Sequence, residues 1–365
     1  MSHESVGILG IGTYIPEEVR SNDYWPQRIQ LEWAERRRRN AGLAAVMEAD
    51  SPLKTTTSPG EQIITSELER SKGDTFQGVK ERRVMPDGMA SSDMEMLAAQ
   101  QALTHSQIRP NDIDFILTHS LVPDRLGFPN ACILQRALEV PERSLVMATE
   151  GASNSFQQQL TLGRGLIQSG LFRYGLVIQS AAPSRLLHIE DQISVTLGDG
   201  AAATVIGPVP KGYGILGSAH CSDGSINPTA TCDPIGSPWY SGERNVFHVV
   251  DARQGRRMLL RVADISAQVI TEALKQGGQS SSNVDFYASH QGADWMRRVT
   301  QEYSGLHRAK FVDTFSWTGS LWSANLPYQL SEGLRLGLIK DGDLVAMFSG
   351  GTGITWSSTV LRWGR

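Results

Sequence analysis

The chain has 365 residues, 40% hydrophobic and 20% charged, with a formal net charge of -4. That length allows two domains or one duplicated unit around a sizeable core, and the balance lacks the basic footprint that nucleic acid or an anionic membrane requires. No run approaches the roughly 20 apolar residues of a membrane span, and the opening MSHESVGILGIG has no charged n-region or cleavage site, so a cytoplasmic protein is expected.

In chain order, GILGIG (7–12) reads as a buried strand and turn and is a poor match to a dinucleotide fingerprint. From 27 to about 73 a charged helix, LEWAERRRRNAGLAAVMEAD, passes into a Ser/Thr/Pro loop containing TTTSPGEQ. The cluster Arg36 to Arg39 is either a solvated helix face or part of an inserted lid or a dock for an acidic partner. Strand-like runs follow at DFILTHS (114–120), YGLVIQSAA (174–182) and AAATVIGPV (201–209), alternating with helical stretches in an α/β pattern.

The later half repeats the earlier one. VDFYASHQ (284–291) answers IDFILTHS (113–120), and DLVAMFSGG (343–351) answers YGLVIQSAA, at separations near 170 residues. The same offset sets ASNSF (152–156) against GSLWSANLP (319–327), each a small-residue turn opening into a helix. Two similar units, 1–185 with the insertion and 186–365, then bring equivalent turns to one crevice, where ligand sites of α/β folds lie. Ser153, His290 and Ser320 converge there.

Each of these has a plainer reading. A serine before a helix is a common N-cap, so Ser153 is a cap or a nucleophile. Asp294, four residues past His290, orients the imidazole if a helix starts at His290, or is simply an acidic residue in a first helical turn; Ser320 is the other candidate orienter. His119, the repeat mate of His290, and His220 read as structural or surface histidines. Trp295, Trp317 and Trp322 line a pocket or pack the core. Cys132, Cys221 and Cys232 show no metal spacing, and no structural metal is expected.

Taken together, the motifs resemble the ketoacyl-acyl-carrier-protein synthase III enzymes of the thiolase superfamily. GILGIGTYIPEEVRSN is similar to that family's first strand and loop, GVKERRVM to GIRERR, and LGDGAAATVI to the GDGAG turn. SHQGA is similar to HQAN, GSLWSANLP to GNTSAASVP, and SGGTGITWSSTVLRW to GGGFTWGSALVRF. The resemblance implies a thiolase-like duplicated α/β/α/β/α layered fold with two mixed five-stranded sheets, and a homodimer whose sheets join across a two-fold. It also implies Cys, His and Asn in the site. Here Ser153 stands in place of the cysteine, Ser320 in place of the asparagine, and only His290 is kept.

A serine hydroxyl attacks a thioester only with a neighbouring base, which His290 would have to be. The start of a helix supplies a dipole and free N–H groups for the oxyanion, and the resemblance puts a second oxyanion donor at the backbone near Thr352. Decarboxylative condensation asks for two N–H donors on an enolate. Replacing one by Ser320 is expected to cost about 3 kcal/mol of transition-state stabilisation. The residues that clamp coenzyme A in the family fall on Lys72 and Phe76, which are unlike it, so a carrier protein's phosphopantetheine arm is the expected donor, with Arg297 and Arg298 as a docking patch. No bound cofactor is expected. Three activities follow from the resemblance: acyl transfer through acyl-Ser153 to a hydroxyl or amine in specialised-metabolite biosynthesis, starter-unit condensation, or an inactive subunit paired with an active homologue.

Overall fold

The computed structural model of the chain describes residues 5–36, 57–227 and 229–365. Among them lie β1 (Ser5–Tyr14), β2 (Glu18–Ser21), β3 (Glu81–Val84), β4 (Phe115–Ser120), β5 (Leu145–Ala148), β6 (Gly175–Ala181), β7 (Gly200–Val209), β8 (Gly214–Ser222), β9 (Ala230–Asp233), β10 (Val246–Val249), β11 (Phe286–Ser289), β12 (Leu344–Gly351) and β13 (Thr355–Arg362). The first large sheet has the order β1-β7-β6-β4-β5 and the second β11-β12-β13-β8. In each, a parallel pair, β4 with β6 or β11 with β12, continues into antiparallel neighbours. Sheet for sheet, β4, β6, β7 and β1 correspond to β11, β12, β13 and β8, which is the repeat read from the sequence.

Two expectations are corrected. The first sheet takes β7 from beyond residue 185, because β7 is bonded between β6 and β1; the halves meet between Val209 and Gly214. The second sheet has four strands among the described residues. Its fifth place is held by Lys310 alone, which bridges Phe286. The chain is then pulled aside, since Gln291 Nε2 donates to Val312 C=O and Asp313 Oδ1 while its Oε1 accepts from Thr314 N–H and Phe315 N–H.

Alternation along the strands sorts the layers. Phe115, Leu117, Val177, Val345 and Met347 face inward and pack with Phe156 and Leu160 of the helix Ser155–Gln168 and with Leu326 and Leu330 of the helix Asn325–Arg335. Ile116, Leu176 and Ile178 face the other way, onto the helix Ser91–Ser106. Leu344, Ala346 and Phe348 likewise meet the helix Val262–Gln276. Five layers result, α/β/α/β/α. Gly12 explains itself here: a Cβ on it would lie 2.1 Å from Ala98 C=O, so the glycine-rich opening lets the Ser91–Ser106 helix close onto β1.

The insertion begins as a helix over 27–36, whose Ile29 and Trp33 pack with Trp25, Val195 and Phe76. Arg36 is exposed at its end, and Arg37, Arg38 and Arg39, with the rest of 37–56, lie outside the described residues. Among the described residues no helix is long and apolar enough to cross a membrane.

Candidate active site

Beyond β5 the chain makes a tight turn, with Ala152 at φ +49°, a left-handed conformation that a residue with a Cβ rarely adopts. The 3-10 turn Ala152–Asn154 then leads into the helix Ser155–Gln168. Ser155 does the local capping: its Oγ accepts from Gly151 N–H at 3.0 Å and donates to Ala152 C=O at 2.8 Å. Asn154 reaches into the other half, donating to Thr355 Oγ1 at 3.0 Å and Ser357 Oγ at 2.9 Å and accepting from Ser349 Oγ at 2.6 Å. Gln157 adds bonds to Ser349 Oγ and to Ser357 C=O. With its neighbours so employed, Ser153 caps nothing. Its side chain is 4% exposed, lines a cavity of about 220 Å³, and has no hydrogen-bond partner among the described residues.

The opposite wall comes from the second half. His290 follows β11 directly and is held through its backbone N–H on Phe348 C=O at 2.8 Å. Ser320 sits in the turn before the helix Asn325–Arg335, beside Trp322 at φ +55°, the repeat counterpart of Ala152. The residue that joins them is Asn325. Its Oδ1 accepts from Leu321 N–H at 3.0 Å, which fixes the amide orientation and turns Nδ2 toward Ser320 Oγ (3.0 Å) and His290 Nδ1 (3.1 Å).

An amide nitrogen only donates, so Nδ1 is the acceptor and the neutral ring carries its proton on Nε2. Burial pushes the His290 pKa down to about 4, so the ring is neutral at pH 7. Ser320 Oγ also accepts from Trp322 N–H at 3.4 Å. With two donors on its oxygen, its own O–H is free to donate. The ring N–H of His290, which also engages the Trp322 backbone, and the O–H of Ser320 are thus the hydrogen-bond donors these two side chains bring to the cavity that Ser153 lines.

Ser153, His290 and Ser320 all line this one cavity, with Gly350, Gly351 and Thr352 of the glycine-rich stretch. The expected hydrogen bond between Ser153 and His290 is not formed in either direction among the described residues, although both side chains line the cavity. Asp294 is not the orienter. The helix starts at Met296 rather than at His290, and Asp294 is exposed.

Asn325 is the residue that sequence reasoning missed. An asparagine opening a helix reads as a cap, yet the repeat carried a signal: Asn325 stands where Ser155 stands in the first half, and both accept from the backbone N–H four residues earlier.

Of the remaining candidates, Trp322 lines the cavity edge-on to Phe247, with centroids 5.6 Å apart. Trp317 packs on Tyr328 and Trp295 is core. Lys72 pairs with Glu69, and Phe76 is tucked against Trp25. Arg297 is engaged by Asp313 at 2.8 Å and Arg298 by Glu67 at 2.9 Å, so neither is an unpaired cation for docking. His119 is buried beside Glu150, and His220 bridges Ser357 and Thr161.

Residues 148–224 match the family described as 3-Oxoacyl-[acyl-carrier-protein (ACP)] synthase III, and residues 274–363 match its C-terminal part. The chain is 30% identical over 364 residues to the beta-ketoacyl-[acyl-carrier-protein] synthase III of Bacillus pumilus, covering 99% of this chain and 100% of that one. It is 26% identical to the Caldanaerobacter subterraneus protein of that name, covering 99% and 98%. Its fold is shared by the crystal structure of 3-oxoacyl-(acyl carrier protein) synthase III from Pseudomonas aeruginosa, with TM-score 0.76, 22% identity and 99% of each chain covered. OleA of Xanthomonas campestris also shares it, with TM-score 0.77, 20% identity, and 100% of this chain and 99% of that one covered. The resemblance in the motifs thus extends over both chains from end to end, and the protein belongs to the ketoacyl-acyl-carrier-protein synthase III family.

Proposed function

We propose that this family member is an acyltransferase that takes an acyl group from a carrier-protein thioester onto Ser153 and passes it to a hydroxyl or amine acceptor in specialised-metabolite biosynthesis. The observation that carries the reading is the pairing across one apolar cavity of an uncommitted serine hydroxyl with two donors, His290 Nε2–H and Ser320 O–H. Ser153 Oγ attacks the thioester carbonyl while the developing oxyanion is held by hydrogen-bond donors, the C–S bond breaks, and the serine proton ends on the departing thiol. For His290 to carry that proton, its ring must first shift the Nε2 proton to Nδ1. That sacrifices the Asn325 bond, a cost of about 1 kcal/mol. A carrier protein is favoured over coenzyme A as donor because Phe76, at a family clamp position, is packed against Trp25.

A second reading, decarboxylative condensation, is supported by the same two donors, which suit a malonyl enolate. Release of carbon dioxide from malonyl carrier protein would mark it. We take the working form to be a homodimer: β5 is an edge strand with Leu145 38% exposed, and Leu126 and Phe128 nearby are 68% and 71% exposed.

The test is intact-protein mass spectrometry after mixing with acylated carrier proteins. A mass gain lost in Ser153→Ala is expected. A gain that survives the substitution, or none with any donor, overturns the acyl-serine route, and the latter result returns the inactive-partner reading.

A further inference from the structure

The strand pair β2–β3 sets two arginines face to face. Arg20 is registered directly against Arg82, and like charges so placed repel. Arg82 is 1% exposed, and burial together with the Arg20 charge pushes its pKa down to about 10. Its Nε donates to Val195 C=O at 2.6 Å and its Nη1 to Asn22 Oδ1 at 2.5 Å, while the rings of Trp25 and Phe76 lie 4.6 and 5.5 Å from the guanidinium. Those faces ease the burial of a cation but supply no anionic oxygen, and Nη2 is buried without a partner among the described residues.

Arg82 is one of a cluster. It lines a cavity of about 90 Å³ with Arg20, Arg83, Ser184, His188 and Ser194. Arg83 Nε is likewise buried and unpartnered among the described residues, and Arg20 rests 4.0 Å over the Tyr24 ring rather than on a carboxylate. The carboxylates at hand are engaged elsewhere: Asp199, on the cavity wall, accepts from Met85 N–H, Ser184 N–H and Ser184 Oγ, and Asp74, near Arg82, accepts from Phe76 N–H and Gly78 N–H. Three guanidiniums around one cavity thus leave an excess of positive charge, which burial makes costly unless an anion joins them. The cavity has room for roughly six to nine waters. A tetrahedral oxyanion of five heavy atoms fits that space, and arginine forks match its oxygens in pairs.

We propose that this cavity binds a phosphate group, bridged between Arg20 and Arg82. One chain segment walls both this cavity and the reactive one: Ser184, His188 and Ser194 line the first, Ile193 and Thr196 the second, and Leu197 both. A bound anion therefore steadies a wall of the Ser153 cavity without touching the reacting atoms. The inference does not rest on the acyl-serine reading, since its test uses unacylated protein.

The full-length protein is titrated calorimetrically with inorganic phosphate at constant ionic strength, and backbone hydrogen exchange over 184–197 is followed by mass spectrometry. Saturable binding with slowed exchange in that segment is expected. Arg20→Gln should weaken binding at least tenfold, the loss of one charge-assisted contact, and Arg20→Lys should recover part of it; Arg83→Gln serves if the glutamine variant at 20 fails to fold. A parallel titration with glycerol phosphate separates the sources: weaker binding than inorganic phosphate assigns the site to the free anion, equal or tighter binding to a phosphoester, and either supports the site when Arg20→Gln loses it. No saturable binding, binding that Arg20→Gln leaves unchanged, or exchange over 184–197 unaltered at saturating phosphate overturns the proposal.

Discussion

Asn325→Asp should turn His290 from a donor into a base. The wild-type amide donates to Nδ1 at 3.1 Å and is held in that sense by Leu321 N–H on Oδ1. A carboxylate in the same place keeps the Leu321 bond with one oxygen and offers the other as an acceptor, so the favoured tautomer becomes Nδ1–H and the Nε2 lone pair opens toward Ser153. A charge-assisted hydrogen bond of this kind contributes about 1.5–3 kcal/mol, a ten- to hundredfold shift in the tautomer ratio. The negative charge also raises the His290 pKa from about 4 toward its ordinary value. Acylation of Ser153, followed by intact mass under single-turnover conditions between pH 5 and 9, should quicken by at least tenfold at pH 7. Any carbon dioxide release from malonyl carrier protein should fall, because Nε2–H is lost as a donor. NMR of ring-labelled histidine should report protonated Nδ1 in the variant and protonated Nε2 in the wild type. Unchanged tautomer and unchanged acylation rate would refute the assignment of Asn325 as the group that sets the ring.

Two buried groups should give stability slopes of opposite sign. His290, depressed to about 4 from 6.5, binds fewer protons folded than unfolded, so its contribution is intact above pH 6.5 and falls by up to about 3 kcal/mol as pH drops to 4. Glu95, which burial raises from 4.5 to about 7 against bonds from Ser120, Ser180 and Asn130, binds more protons folded; its contribution is intact below pH 4.5 and is lost by a similar amount as pH rises through 7. Denaturant titrations of Glu95→Gln should therefore gain stability with rising pH across 4.5–6.5, and those of His290→Asn should lose it; two variants with the same sign of slope would contradict the assignment. Ser153→Cys installs a nucleophile that ionises far more readily, and its acylation should exceed the wild-type rate by tenfold or more; a slower reaction would mean that position 153 does not take the acyl group.

Much of this was legible because the strands buried on both faces read as continuous apolar runs, and their recurrence at a fixed offset carried the duplication. It also set His290 and Ser320 opposite Ser153, and the three line one cavity, without the hydrogen bond expected between Ser153 and His290. What stayed hidden depended on contacts far apart in sequence. β7 looks like the start of a second unit until its hydrogen bonds to β1 and β6 are seen. Lys310 reads no differently whether it begins a strand or makes one bridge. The polar run Asn154, Gln157 and Gln159 suggests a solvated helix face, yet all three are at most 1% exposed, because this helix is clasped between two sheets and its amides bind strand ends. Asn325 escaped for a related reason: its role lies in which neighbours its amide joins, and a residue type alone does not encode that.

The anchoring of Asn154 on three hydroxyls of the far half has a mechanical consequence. The serine beside it takes its position from the sheet that also carries His290, although it belongs to the other unit of the duplication. Sliding of one unit against the other therefore drags both reactive groups together, and their separation is insulated from shear that would misalign a pair held each by its own half.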